Sequence, residues 1–249
     1  MGSFLLRAVA GATFIALCGL PHAAAASVRF DPQTRMFRLD GGQVTYAFGI
    51  NEAEQLQAMH WGGRLADGDR LGPLKSLPGH ASFDLSASVT PQEFPAQGGG
   101  IYSEVALKVA YADGNRDTVL HYVSHEIKGE TVAVRMKDIS LPLQVTLHYS
   151  IDPDTGVVGR SASIENLGTT PLRIDQAASA SYTLAPQSDY RLHHLTGRWA
   201  GEWTLQQRPV TEGASVLESR RGSTGQQNTP WFAIDRDGLS SEESGPVWF

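Results

Sequence analysis

Apolar side chains recur at every second position over almost the whole length of this chain. Val105, Leu107, Val109 and Tyr111 alternate with polar or small residues, and Val145, Leu147, Tyr149 and Ile151 do the same. A period of two turns one face of an extended chain towards a core and the other towards water, so each run predicts a half-buried antiparallel strand. Turn chemistry separates the runs where hairpins need it, at Asp113-Gly114-Asn115, Asp152-Pro153-Asp154-Thr155-Gly156 and Asn166-Leu167-Gly168. Gly and Asn tolerate the positive φ that such turns use. Residues 51–59 fit a turn or two of helix, or equally the end of one strand and the start of the next. No long segment of period 3.6 interrupts the strands. Dense, even strand spacing predicts an all-β fold, a large sandwich of antiparallel sheets. Residues 66–100, rich in Gly, Pro and Ser, form a loop excursion long enough to imply a function or a contact of its own.

Composition limits what such a sandwich can do. The sequence has 249 residues, 18% of them charged, and a formal net charge of −6, too little positive charge for a nucleic-acid surface. A chain of this length can bury a core as one large domain, and no Pro-rich run, charge block or internal repeat divides it. The beginning reads differently. Arg7 is followed by an apolar run over residues 8–20, too short for a membrane span, and residues 21–26 end in small side chains. That pattern predicts a signal peptide over residues 1–26, cleavage before Ser27, a mature domain of residues 27–249, and export to the periplasm or the medium. Cys18, the only cysteine, falls inside the leader, so the mature chain is expected to carry neither a disulfide nor a thiolate metal site.

The histidines do not assemble a metal centre. His121 and His125, four apart in a strand, would lie roughly 13 Å from each other, and the adjacent His193 and His194 would point to opposite faces. No His-Glu-x-x-His, P-loop or Gly-x-Ser-x-Gly pattern is present. Carboxylates are plentiful, but nothing in their spacing singles out an acid/base pair.

The most specific stretch is residues 195–232. It contains Leu195-Thr196-Gly197-Arg198-Trp199-Ala200-Gly201-Glu202-Trp203, then Ser219-Arg220-Arg221-Gly222-Ser223-Thr224, and it closes on Asn228-Thr229-Pro230-Trp231-Phe232. This resembles the end of the N-terminal β-domain of family 36 glycoside hydrolases, the bacterial and fungal α-galactosidases. Phe37-Arg38-Leu39, Tyr46-Ala47-Phe48, His60-Trp61-Gly62 and Pro91-Gln92-Glu93-Phe94-Pro95 agree upstream and in order, so the resemblance runs from about residue 30 to residue 249. It implies a galactose-mutarotase-like supersandwich. It also implies that the catalytic aspartates belong to a (β/α)8 barrel following this domain, so no catalytic residue is carried over to this chain and no metal or organic cofactor is expected. The partners implied are α-galactoside oligosaccharides, the barrel itself and a second subunit in a homo-oligomer, because the family's N-terminal domain lies near a neighbouring active-site entrance.

On that resemblance Trp199 is the candidate substrate-binding residue, with Trp61, Trp203 and Trp231 behind it, since an aromatic face stacks on the C–H face of a pyranose. Packing is the competing expectation: Trp199 and Trp203 at strand spacing would share one sheet face and fill the space between sheets. Glu93 and Glu202 sit in family-like motifs and read as structural. The chain departs from the family at Gly201, where Arg is common, at Ser223-Thr224-Gly225-Gln226, and at the inserted Thr229. Three other functions compete: an α-N-acetylgalactosaminidase on the same scaffold, a free-standing carbohydrate-binding module, and an aldose-epimerase-like enzyme using His148 and Glu165.

Overall fold

The structure is a computed structural model that describes residues 27–184, 189–220, 227–236, 240 and 247–248. The leader expected over residues 1–26 and the polar segment 221–226 lie outside the described residues. Four strands, β1 (Ser27–Asp31), β2 (Met36–Gly41), β3 (Val44–Ile50) and β4 (Leu56–Gly63), form an antiparallel meander in chain order. The ambiguous segment before β4 is a turn: Asn51 Oδ1 accepts from the amides of Ala53 and Gln55, and Glu54 adopts φ 58°. A single helical turn, α1 (Ser86–Val89), and the short strand β5 (Leu107–Ala110) follow. A second meander holds β6 (Leu120–Lys128), β7 (Thr131–Asp138), β8 (Leu143–Ile151) and β9 (Val158–Asn166). Beyond it, β10 (Arg173–Ala177) turns back to pair with β5.

The two meanders face each other as the period-two pattern requires. In β8, Leu143, Val145, Leu147, Tyr149 and Ile151 are all buried and alternate with residues facing outward. Phe37 stacks on its sheet neighbour Phe48 at 4.8 Å, and Phe48 stacks across the interface on Tyr149 at 4.5 Å between ring centroids. The sheets are also joined at one corner, where the amide of Gly42 donates to Pro153 O at 2.8 Å. Gly156 is required at this corner: its φ is 73°, and a Cβ there would stand 2.6 Å from Gly41 O.

The first sheet departs from simple alternation. Every residue of β2 is buried, on both faces, because the excursion after β4 folds over the outer side. Arg38 anchors it, donating to Leu65 O at 2.6 Å and Ala66 O at 3.0 Å while its Nε reaches Asp40. The long loop is therefore a lid on the first sheet.

The remaining strands stand outside this core. They are β11 (Tyr190–Arg198), β12 (Gly201–Pro209), β13 (Asn228–Arg236) and β14 (Val247–Trp248), in the order β12-β11-β13-β14. Trp248 Nε1 donates to Trp61 O at 3.2 Å and so ties this outer sheet to β4.

Candidate functional site

The β11–β12 hairpin reverses direction through Trp199 and Ala200, with Arg198 paired to Gly201. Ala200 takes φ 58°, and its amide is held by Glu202 Oε1 at 3.0 Å. The register then slips between Thr196 and Arg198, where Trp203 on the opposing strand adopts φ 56°. Trp199 is 82% exposed and Trp203 71% exposed. The expected packing of these two residues between sheets is thus overturned. A chain reversal and a bulge separate them, so strand spacing does not apply, and no second sheet covers them among the described residues. A left-handed backbone at a bulky residue costs roughly 1–2 kcal/mol, a strain that concentrates at functional positions. The tip presents two large aromatic surfaces to solvent, with Glu202 serving to shape the turn.

A second aromatic surface lies where the outer sheet meets β4. Trp61, Tyr182, Trp248, Met59, His60 and His80 line a groove of about 560 Å³. Tyr182 packs on Trp61 at 4.8 Å, and Trp61 meets Tyr46 edge-on at 6.1 Å. Trp231, 38% exposed, sits on β13. Of the four tryptophans expected to meet a sugar, the fold brings only Trp199 and Trp203 to the same end of one hairpin.

Glu93 is withdrawn from any substrate. Its side chain is fully buried; the Tyr46 hydroxyl donates to it at 2.8 Å and the Tyr149 hydroxyl at 2.9 Å, while Arg160 pairs with it at 3.2 Å. Burial pushes the Glu93 carboxyl above its ordinary value, and Arg160 with the two phenols pulls it partly back. Burial likewise pushes both phenols well up, which keeps them protonated as donors. Arg160 is enclosed as tightly, donating to Ser181 O at 2.7 Å and Glu93 O at 2.9 Å beneath the ring of Tyr182 at 4.7 Å. Burial opposes its charge, yet Glu93 holds it fully ionised. The sequence motif marks Glu93 and the alternation marks Tyr149 as a core residue, but no local pattern marks Arg160 and Tyr182 or brings the four together.

His125, His148 and His193 have structural partners. On β6, His125 Nδ1 meets the Tyr122 hydroxyl at 2.8 Å, and its ring packs on Phe30 at 4.3 Å. His193 Nε2 lies 2.8 Å from Asp235 Oδ1, while His194 is turned to the other side of β11 and buried. Arg191, His193 and Ser240 converge on Asp235, and the hydrogen bonds from Arg191 above all hold that carboxyl well below the ordinary range, against the pull of burial. His148 bonds Ser163 and Glu165 bonds Gln144; His148 on β8 pairs with Ser161, four positions from Glu165 along β9, so the two residues an epimerase would need do not meet. Among the described residues no group of three or more His, Cys, Asp or Glu could hold a metal ion, and no helix is long and apolar enough to cross a membrane.

Comparison with known proteins gives these features a context. The profile of the glycosyl hydrolase family 36 N-terminal domain matches residues 54–249. Alpha-galactosidase AgaA of Geobacillus stearothermophilus is 30% identical over 234 residues, covering 84% of this chain and 32% of that protein. Among solved structures, the GH36 alpha-galactosidase AgaB from the same organism superposes with a TM-score of 0.77 at 26% identity, covering 86% of this chain and 32% of that one. A variant of AgaA in complex with stachyose superposes with a TM-score of 0.75 at 28% identity, covering 85% and 33%. The chain spans about a third of the length of the relatives it matches.

Proposed function

Because this chain belongs to glycosyl hydrolase family 36 through its N-terminal domain, we propose that it is the non-catalytic β-domain of an exported α-galactosidase. The full enzyme removes terminal α-linked galactose from short oligosaccharides, with its acid/base and nucleophile supplied by a barrel that follows this domain. The observation that carries this reading is the agreement of sequence profile and fold over the same third of the relatives, AgaA with bound stachyose among them. The burial of Glu93 and the engagement of Asp235 by three partners are in keeping with it, since neither carboxylate is free to act on a glycosidic bond.

Within that enzyme the β11–β12 tip is the part we assign to substrate. Trp199 would stack on a sugar at the active-site entrance of a neighbouring subunit in a homo-oligomer, and the strained, exposed backbone at Ala200 and Trp203 is what such a projecting contact needs. Residues 1–26 would direct the chain across the membrane and be removed before Ser27.

The test is made on the longer gene product that carries the barrel. It is expected to release galactose from raffinose and stachyose in preference to N-acetylgalactosamine from the matching α-glycoside. Trp199→Ala is expected to raise KM for the oligosaccharides several-fold with little change in kcat, the pattern of lost substrate binding. No galactose release, or a preference for the N-acetylated sugar, would defeat the reading.

A further inference from the structure

Trp61 on β4 holds the outer sheet at two points. Its ring takes the ring of Tyr182 at 4.8 Å, and its carbonyl oxygen accepts the indole N–H of Trp248 at 3.2 Å. Tyr182 lies in residues 178–184, a strap that follows β10, precedes β11 and forms neither helix nor strand. Trp248 lies on β14, at the far end of the outer sheet in chain order and 187 positions from Trp61. The entry to the outer sheet and its last strand therefore meet the core at one residue.

The seat of Tyr182 is rigid on the core side. Arg160 lies over its ring at 4.7 Å, Tyr46 meets it edge-on at 6.5 Å, and Arg160 also donates to the adjacent Ser181 O at 2.7 Å. Glu93 fixes Arg160 in its turn. Tyr182 itself stays 41% exposed, and Trp61, Tyr182 and Trp248 line the open groove instead of closing it. A junction with open space between its sides and few buried apolar contacts opens and closes at low cost. Movement there is amplified along β11. That strand begins at Tyr190, whose ring packs on Trp248 at 6.0 Å, and ends at the turn carrying Trp199. Its extended residues span roughly 26 Å, so a tilt of about 10° at the joint carries the hairpin tip roughly 4–5 Å.

We propose that Trp61 is the pivot of a joint between core and outer sheet, locked by Tyr182 as its pin, and that this joint sets where the Trp199 hairpin points. With Tyr182 seated between Arg160 and Trp61 the sheet is held in one orientation. With Tyr182 withdrawn the strap loses its ring contacts, and the sheet keeps the Trp248 tie and tilts about Trp61. The consequence for substrate rests on the assignment of Trp199 above; the joint itself does not.

Pulsed electron paramagnetic resonance on the whole chain tests it, with spin labels on Lys128→Cys in the core and Thr204→Cys beside the tip, both exposed positions, and with the native cysteine removed as Cys18→Ser. The parent is expected to give one narrow distance distribution. Tyr182→Ala is expected to shift or broaden it by roughly the 4–5 Å of such a tilt, while a core pair, Asp113→Cys with Lys128→Cys, keeps its distance. Tyr182→Phe, which retains the ring, is expected to match the parent. Trp248→Phe removes the N–H that binds Trp61 O, is expected to broaden the distribution as well, and carries the test if Tyr182→Ala fails to fold. An unchanged core-to-tip distance in both Tyr182→Ala and Trp248→Phe, an equal change in the core pair, or a Tyr182→Phe variant that behaves like Tyr182→Ala would each overturn the proposal. Hydrolysis is not read in this experiment, so the joint and the proposed function fail separately.

Discussion

Glu93 shows how much a single buried charge depends on partners far away in sequence. Tyr46 is 47 positions from it and Tyr149 is 56, yet both hydroxyls converge on its carboxylate beside Arg160. Removing one member of a buried pair leaves the other uncompensated, a loss of about 3–5 kcal/mol. Glu93→Ala is therefore expected to lower the urea midpoint by that equivalent, and a change under about 1 kcal/mol would mean that Arg160 finds solvent instead. The tryptophans of the hairpin behave in the opposite way. With most of each side chain in water, Trp199→Ala and Trp203→Ala are expected to shift stability by no more than about 0.5 kcal/mol, while Trp203→Gly relieves the positive φ and gains about 1 kcal/mol. Differential scanning calorimetry of the three variants separates this from a packed tryptophan, which would cost several-fold more on truncation. The sequence made Trp199 and Trp203 conspicuous but could not say that they were exposed, because a tight turn and a bulge undo the spacing from which a shared face was inferred. Asp235 sets a pH dependence. Its folded carboxyl is held below the unfolded value of about 4, so the stability it contributes is complete above that pH and drains away as pH falls through the acid range. Asp235→Asn is expected to melt lower than the parent at pH 7 and to lose less on going from pH 5 to about pH 2; parallel acid profiles would contradict the assignment.

At the scale of elements, legibility followed whichever faces were covered by the chain itself. The pattern in β8 was readable because one meander buries its inner face and water takes the outer. In β2 it was not, since the long excursion closes over Arg38 and Asp40 and makes every position interior. For β12 the pattern carries no core at all: all but its first residue are exposed, and the strand is the edge of its sheet, with no partner on its outer side among the described residues. A long edge strand with Trp203 and Leu205 on it is a template for another chain. The protein should accordingly associate as concentration rises, and Leu205→Lys should suppress that association. Sedimentation velocity reads the difference, and a parent that stays monomeric at high concentration would show that the edge is already protected.

For the whole molecule, the fold was legible and the chemistry was not. Alternation and turn residues suffice for a sandwich of antiparallel meanders, and the motifs around Trp61, Glu93 and Trp199 suffice for the family. No catalytic pair could be read from spacing: among the described residues the buried carboxylates, Asp40, Glu93 and Asp235, are engaged in ion pairs, and a binding face that meets another domain or subunit leaves its mark only as unexplained exposure. This β-domain is expected to have no hydrolytic chemistry of its own. Purified protein of residues 27–249 should release no nitrophenol from p-nitrophenyl α-galactoside above the buffer rate, while a full-length alpha-galactosidase such as AgaA of Geobacillus stearothermophilus, under the same conditions, serves as the positive control. Turnover by the isolated domain that follows the protein through purification from a host lacking α-galactosidase would contradict that expectation and place the catalytic carboxylates within this chain.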